Sequence, residues 1–376
     1  MNIGLNLLFL IPEKVGGTET YSRGLIDELE KIDKNNDYAL FCNKENYGTF
    51  SYRLSKFRRI LCPVTGSIRP LRIIWEQLVL PFQILIQKTE VLLSLGYICP
   101  LFLPCKSVVV IFDLNWFFHP EEFSFVARFF WKTLVTLSAQ RADLIITSSE
   151  NSKKEISWVL GVPLGKIKVV YGGIDTKRFR PIKDKKKILE IKKRYGVKKD
   201  FILTVSAAYR FKNLGRLIDA FKTVNETKPE VQLLIVGLGG RGKPELLAKI
   251  KNYKLSDRVI VAGWVPDEEL PMLYSAAEVY VHPSLYEGFG FPVLEAMACG
   301  CPVISSSSAS LPELVGKQGI LINALEVEEI SRAILKLLSD SKLKKSLTRG
   351  GIDQVRKFSW EKSATLMKSL LGRVCS

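Results

Sequence analysis

The chain has 376 residues, 47% of them hydrophobic and 25% charged, and a formal charge of +17. That length is too great for one hydrophobic core, and the composition excludes disordered and fibrous proteins, so two globular domains are predicted. The charge implies a negative partner; phosphorylated ligands, nucleic acid and an anionic membrane surface all qualify.

The opening run, "MNIGLNLLFLI", has no basic leader and no small-residue cleavage site, so it reads as a buried strand over 3–11 rather than a signal peptide. It leads through Gly16 and Gly17 to Thr18 and Glu19, at the start of a helix over 19–31. Amides at a helix start attract phosphate or substrate oxygens. A merely tight turn fits the same residues, and the G-x-G-x-x-G fingerprint of a dinucleotide site is missing. A strand over 38–42 follows. Arg53, Lys56, Arg58, Arg59, Arg69 and Arg72 then occur with no acid between Glu45 and Glu76, and Trp75 and an apolar stretch come directly after. The pattern suits an anionic lipid surface, at about 1 kcal/mol per basic residue, and equally a basic face over a buried helix. Leu78–Pro104 carries Lys88, Glu90 and three prolines, too broken for a spanning helix of about 20 apolar residues.

Strands are predicted over 107–112 and 144–147, and a helix over 151–160. From Lys177 to Lys199 twelve Lys or Arg stand against Asp184 and Glu190. This segment reads as the linker and entry to a second domain, or as a solvated charged helix. Beyond it come strands over 201–206, 232–236, 258–262, 279–282 and 302–305, with helices over 215–223 and 327–339. The alternation predicts α/β architecture with parallel sheets.

Two stretches of the second half carry candidate chemistry. In "VSAAYRFKNLGRL" a strand ends and Arg210 and Lys212 fall in the loop before a helix, where two cations suit a diphosphate; exposed loop cations are also commonly inert. In "LYEGFGFPVLEAMACG", Pro292 suits a first helical position, and Gly288 and Gly290 let the backbone approach a ligand. Glu295 would lie in the first helical turn, able to accept hydrogen bonds from paired hydroxyls such as those of ribose, with Glu287 ahead of the turn. A glycine turn with two surface acids fits the same residues. The seven Cys form no Cys-x-x-Cys pair and the only His are 119 and 282, which excludes a zinc cluster of familiar spacing and argues against disulfides. A reducing cytoplasm is the expected compartment, on the inner face of the cell membrane if the lipid reading holds.

Taken together, these stretches resemble the retaining glycosyltransferases of the large family 4, over nearly the whole chain. The E-x7-E pair is Glu287 and Glu295, flanked by "GWVPDEELPMLYSAAEVYVHPS" and "SSASLPELVG"; "ADLIITSSENSKKEI", "GVPLGKIKVVYGGIDTKRF" and "GGTE" also match. "RIIWEQLVLP" and "FDLNWFFHPEEF" look like acceptor-side segments of members that act in bacterial polysaccharide synthesis. The resemblance implies a GT-B fold of two Rossmann-like domains facing an interdomain cleft. Residues 1–177 would bind the acceptor, 178–355 the nucleotide sugar, and a helix over 356–376 would return to the first domain. It implies that Glu295 holds the nucleotide ribose, that Glu287 contacts the transferred sugar, and that amides of Phe289, Gly290 and Phe291 hold sugar and phosphate oxygens. Lys212 matches the diphosphate lysine; Arg210 is offset from the usual companion arginine. Gly16 and Gly17 match the loop over the donor phosphate. Relatives commonly carry His before Asp-Leu, whereas here Phe112 precedes Asp113, leaving Asp113 or His119 to compensate.

The implied reaction is front-face displacement, with the donor as substrate, no cofactor and no metal, the leaving charge being met by cations and helix-terminal amides. The shortage of His and the lack of an Asp-x-Asp triplet agree with this. The expected acceptor is a saccharide, or a lipid-diphosphate-linked saccharide at a membrane. A phosphorylase needs a longer chain and a pyridoxal lysine, and the E-x7-E pair does not favour an epimerase. A silent sugar-nucleotide binder is the rival that Phe112 encourages. Nucleic-acid binding rests on charge alone and is not expected.

Overall fold

The computed structural model describes residues 1–52 and 55–376, so Arg53 lies outside the described residues. The chain forms two compact units, Met1–Gly173 with Ser359–Ser376, and Ile174–Phe358.

The first unit is built on a seven-stranded parallel sheet. Its strands are β1 (Asn2–Asn6), β2 (Asp37–Cys42), β3 (Phe57–Leu61), β4 (Val91–Ser94), β5 (Lys106–Val110), β6 (Leu144–Thr147) and β7 (Ile167–Val169), in the order β3-β2-β1-β4-β5-β6-β7. β1 is shorter than predicted. Beyond Asn6 the chain turns, the Leu10 N–H bonding to the Leu7 carbonyl at 3.0 Å, although Leu7, Leu8 and Leu10 stay fully buried. The apolar stretch 78–104 is divided between the end of the Arg69–Leu78 helix, the Leu80–Ile86 helix, β4 and a loop. Among the described residues no helix is long and apolar enough to cross a membrane.

The winding reverses between β1 and β4. Right-handed crossovers therefore put the Gly17–Ile32 helix on one face of the sheet. The helices Arg69–Leu78, Leu80–Ile86, Phe125–Arg141 and Glu150–Leu160 cover the other. The Gly17–Ile32 helix buries Tyr21, Leu25 and Leu29 at i, i+4 and i+8. The C-terminal helix Trp360–Cys375 packs against it: Tyr21 and Trp360 meet edge-on at 5.9 Å, and Lys368 Nζ lies 3.1 Å from the buried Asp33 carboxylate. A Cβ on Gly24 would fall 2.3 Å from the Trp360 indole. Gly24→Ala is therefore expected to cost about 1–3 kcal/mol by overpacking, measured as a lower urea midpoint with an unchanged slope.

The basic residues around 56–72 do not form one surface. Arg72 is 5% exposed and lies in the field of Glu76. Arg59 donates to the Tyr47 and Phe50 carbonyls and Lys56 to the Lys34 carbonyl, while Arg58 and Arg69 are exposed.

The second unit holds a six-stranded parallel sheet of β8 (Phe201–Val205), β9 (Gln232–Val236), β10 (Val259–Val261), β11 (Val279–His282), β12 (Val303–Ser306) and β13 (Ile320–Ile322). The order is β10-β9-β8-β11-β12-β13. Ile202, Leu233, Ile235, Val279 and Val281 form one core with Leu217 and Phe221 of the Leu214–Thr227 helix. Here the winding reverses between β8 and β11. Open α/β sheets take their ligands beyond the carboxyl ends of the strands at such a reversal.

Candidate active site

At the reversal in the second unit two loops meet, 206–213 after β8 and 283–290 after β11. Asn213 adopts a left-handed conformation (φ 60°), which asparagine tolerates. Its Nδ2 donates to the Pro283 carbonyl at 3.1 Å and the Ala324 carbonyl at 2.6 Å, while the Leu285 N–H bonds to the Phe211 carbonyl at 2.7 Å. These bonds lock the loops together and bring Lys212 Nζ to 2.6 Å from Glu287 Oε1, across 75 positions of sequence.

Glu287 is 13% exposed and Lys212 20%. Burial alone would raise the Glu287 carboxyl; the Lys212 charge and the hydrogen bond from His282 outweigh it and hold the group well below the usual carboxylate range. His282 Nε2 lies 2.8 Å from the same Oε1, and its Nδ1 lies 2.9 Å from the Tyr280 hydroxyl. With Glu287 ionised, Nε2–H donates to it, and Nδ1 of the neutral ring then accepts from Tyr280. Both donors sit on Oε1, so among the described residues Oε2 is the atom left for a ligand hydroxyl. His282 and Tyr280 were not singled out in the sequence: a lone His closing a buried strand reads as core. The signal available was its position at the carboxyl end of a strand five residues before an acid.

Arg210 shares the short 3-10 turn with Lys212 and lines a hollow of about 420 Å³ with Tyr209, Arg216 and Lys249. Gly290 has φ 114°, and a Cβ there would meet Leu311 at 2.8 Å, so only glycine fits. It caps the Phe291–Ala298 helix, in which Pro292 is second rather than first because the chain is already helical at Phe291. Glu295 is accordingly the fifth helical residue, one residue deeper than predicted. Phe289 and Phe291 are buried with rings 4.9 Å apart, and Ser310 Oγ donates to the Glu287 and Phe289 carbonyls at 2.9 and 2.7 Å. The Tyr274 hydroxyl donates to Glu295 Oε2 at 2.9 Å. Burial pushes the Glu295 carboxyl up to about 7, against the Tyr274 hydrogen bond and the Arg178 charge. The two acids thus differ in kind, one locked ionised and one poised near neutrality.

In the first unit, Gly16 caps the Gly17–Ile32 helix with φ 57° and open space where a Cβ would stand. Glu19 accepts from the Glu13 N–H at 2.8 Å and pairs with Arg23 at 2.7 Å, shaping this loop. Phe112 lies between the rings of Tyr21 (4.9 Å) and Tyr97 (5.7 Å). Asp113 accepts from the Tyr97 hydroxyl at 3.1 Å and from the Asn115 N–H at 3.2 Å, and His119 Nδ1 lies 3.1 Å from Glu121. Among the described residues no three His, Cys, Asp or Glu are grouped as a metal site.

Known proteins agree with this architecture. The family model "Glycosyl transferases group 1" matches residues 185–354 and "Glycosyltransferase Family 4" matches 15–178. O-antigen chain mannosyltransferase B of Escherichia coli is 32% identical over 266 residues, 69% of this chain and 68% of that protein. The serotype-specific mannosyltransferase WbdA of Escherichia coli is 28% identical over 271 residues, 70% of this chain but 33% of that longer protein. The structure of sucrose-phosphate synthase from Thermosynechococcus elongatus shares the fold at a TM-score of 0.81 and 21% identity, covering 100% of this chain and 99% of that one. The chain belongs to the group 1, family 4 glycosyltransferases, and its two parallel-sheet Rossmann-like units are those of the GT-B fold.

Proposed function

We propose that the chain moves a hexosyl group, with retention and without a metal, from a nucleotide diphosphate sugar to a saccharide or lipid-diphosphate-linked saccharide in cell-surface polysaccharide synthesis. Residues 178–355 would bind the donor and 1–177 the acceptor, with 356–376 as the returning helix. The observation that carries the reading is the Lys212–Glu287 pair at the winding reversal. An ammonium has three donors. One meets Glu287, leaving two for diphosphate oxygens as the bond from C1 to the leaving oxygen breaks and the acceptor hydroxyl attacks C1 from the same side. Arg210 and the amides of Phe289, Gly290 and Phe291 would share the leaving charge, which grows in the transition state and is best met by groups already in place. Glu287 would hold a hydroxyl of the transferred sugar on Oε2, and Glu295 the ribose. In the first unit Gly16 and Gly17 would close over the donor phosphate, and Asp113 would act as a catalytic residue beside the transferred sugar. An anionic membrane surface is the partner that a lipid-linked acceptor implies.

A thermal-shift panel of GDP-, UDP- and dTDP-sugars tests this, with mannosyl donors first because the relatives named above are mannosyltransferases. One nucleotide class should raise the melting temperature of the wild type and do much less for Glu295→Ala. Equal shifts in both proteins would reject the ribose assignment. A shift with no turnover on any acceptor is what a silent binder, suggested by Phe112, would give.

A further inference from the structure

Most of the large apolar side chains left exposed among the described residues belong to the first unit; the second has only Leu189, Tyr209, Leu247, Trp264 and Leu325, scattered. Most of those of the first unit gather on the sheet face opposite the Gly17–Ile32 helix, Leu366 on the C-terminal helix being an exception. Along the consecutive helices Arg69–Leu78 and Leu80–Ile86, the side chains of Leu71, Ile74, Leu78, Phe82, Leu85 and Ile86 are each at least 54% exposed. On the Phe125–Arg141 helix, Phe125, Val126 and Phe129 are 82%, 77% and 67% exposed. The 99–104 loop links the Arg69–Leu78 helix to the C-terminal end of the Phe125–Arg141 helix. Gln77 bonds to the Cys99 carbonyl at 3.2 Å and the Leu101 N–H at 3.0 Å, and the Cys99 N–H bonds to Ser138 Oγ at 3.1 Å. Arg141 lies 5.8 Å above the exposed Phe102 ring.

The charge of this face is mainly positive. Residues 57–89, 91–112 and 123–142 contain a single acid, Glu76, which is 2% exposed, and the acids flanking these segments are Glu90, Asp113, Glu121, Glu122 and Asp143. Arg58, Arg69, Arg128 and Lys132 are all exposed. A chain free in water rarely leaves so wide an apolar face open. A second copy would set like charges against each other, and nucleic acid could stack bases on the phenylalanines but offers nothing to Leu71, Ile74, Leu78, Leu85 and Ile86. An anionic bilayer supplies both chemistries, an acyl boundary for Phe and Leu and phosphates for Arg and Lys.

We propose that this face docks the chain peripherally on an anionic lipid bilayer. It gives a residue-level place to the membrane partner named above and uses none of the donor chemistry. The test is flotation with vesicles of equal parts phosphatidylglycerol and phosphatidylcholine, against phosphatidylcholine alone. The wild type should float with the anionic vesicles and leave the neutral ones. The bound fraction should fall at least about tenfold in Phe82→Asp/Phe129→Asp and in Arg69→Ser/Arg128→Ser/Lys132→Ser, with melting temperature and donor-induced shift unchanged. Undiminished flotation of the aspartate variant would overturn the proposal. So would a wild type that does not float but forms a concentration-dependent dimer, abolished by the same substitutions. Flotation without any donor-induced shift would sink the transfer reading and leave this one standing.

Discussion

Replacing Lys212 by alanine is expected to lower glycosyl transfer by about a thousandfold and to cost about 2–4 kcal/mol of stability. The two losses share a cause and are separable. Glu287 is nearly buried, and the largest influence holding it ionised is the ammonium 2.6 Å away. Without that charge the carboxylate is left on the His282 hydrogen bond alone, and burial drives its proton affinity up. The sign follows from linkage: a carboxyl held low in the fold and ordinary when unfolded contributes stability that is present above about pH 4.5 and lost as pH falls through the folded value. The stability gap between wild type and Lys212→Ala should therefore begin to narrow as pH falls through the variant's raised carboxyl value, above about 4.5, and go on narrowing below it. The double variant Lys212→Met/Glu287→Gln, which removes the pair without stranding a charge, should recover much of the stability and none of the transfer. Transfer restored along with stability would show that Lys212 serves only to hold Glu287 in place.

The legible part of this site lay in local patterns, and the illegible part in contacts between distant ones. Lys212 and Glu287 each stood out in a glycine-bearing or basic loop after a strand, and a parallel sheet with a winding reversal brings such loops together. Helix existence was also legible: the apolar spacing of 327–339 gives the Val327–Ser339 helix to the residue, and the Leu214–Thr227 helix exceeds its predicted span at both ends. Exposure was less so. Arg72 looks like its basic neighbours in sequence, yet it points into the core towards Glu76, because one face of the Arg69–Leu78 helix must cover the sheet. The apolar residues after it read as interior and are open to solvent at Leu78, Phe82 and Ile86. β3 escaped notice because "FRRIL" buries Phe57 and leaves both arginines out, and β4 because four residues inside a longer apolar run show no period. Tyr274 carries no motif at all; only the fold sets its hydroxyl against Glu295.

Donor affinity should climb with pH between about 6 and 8, steeply below the Glu295 value of about 7 and flat above it, by up to about tenfold per pH unit. A ribose diol donates two hydroxyls and needs an ionised acceptor, so binding to a carboxyl that is half protonated near neutrality must expel a proton. The intact nucleotide sugar is the ligand to use, because its diphosphate is esterified at both ends and does not titrate in this range. Glu295→Gln should flatten the profile and weaken binding at pH 8 by about ten- to a hundredfold, the worth of hydrogen bonds to a charged group. The unliganded protein should move the other way. A carboxyl raised in the fold contributes stability that is fully present below about pH 4.5 and is lost as pH rises through about 7, so the wild type should weaken over that window while Glu295→Gln does not. Above pH 7 the glutamine variant should then be the more stable protein, by about 3 kcal/mol at most. Calorimetry in buffers of different ionisation enthalpy counts the proton directly. Its release near pH 6.5 by the wild type and not by the variant would tie affinity and stability to one carboxyl, and an identical count in both proteins would mean that the ribose sits elsewhere.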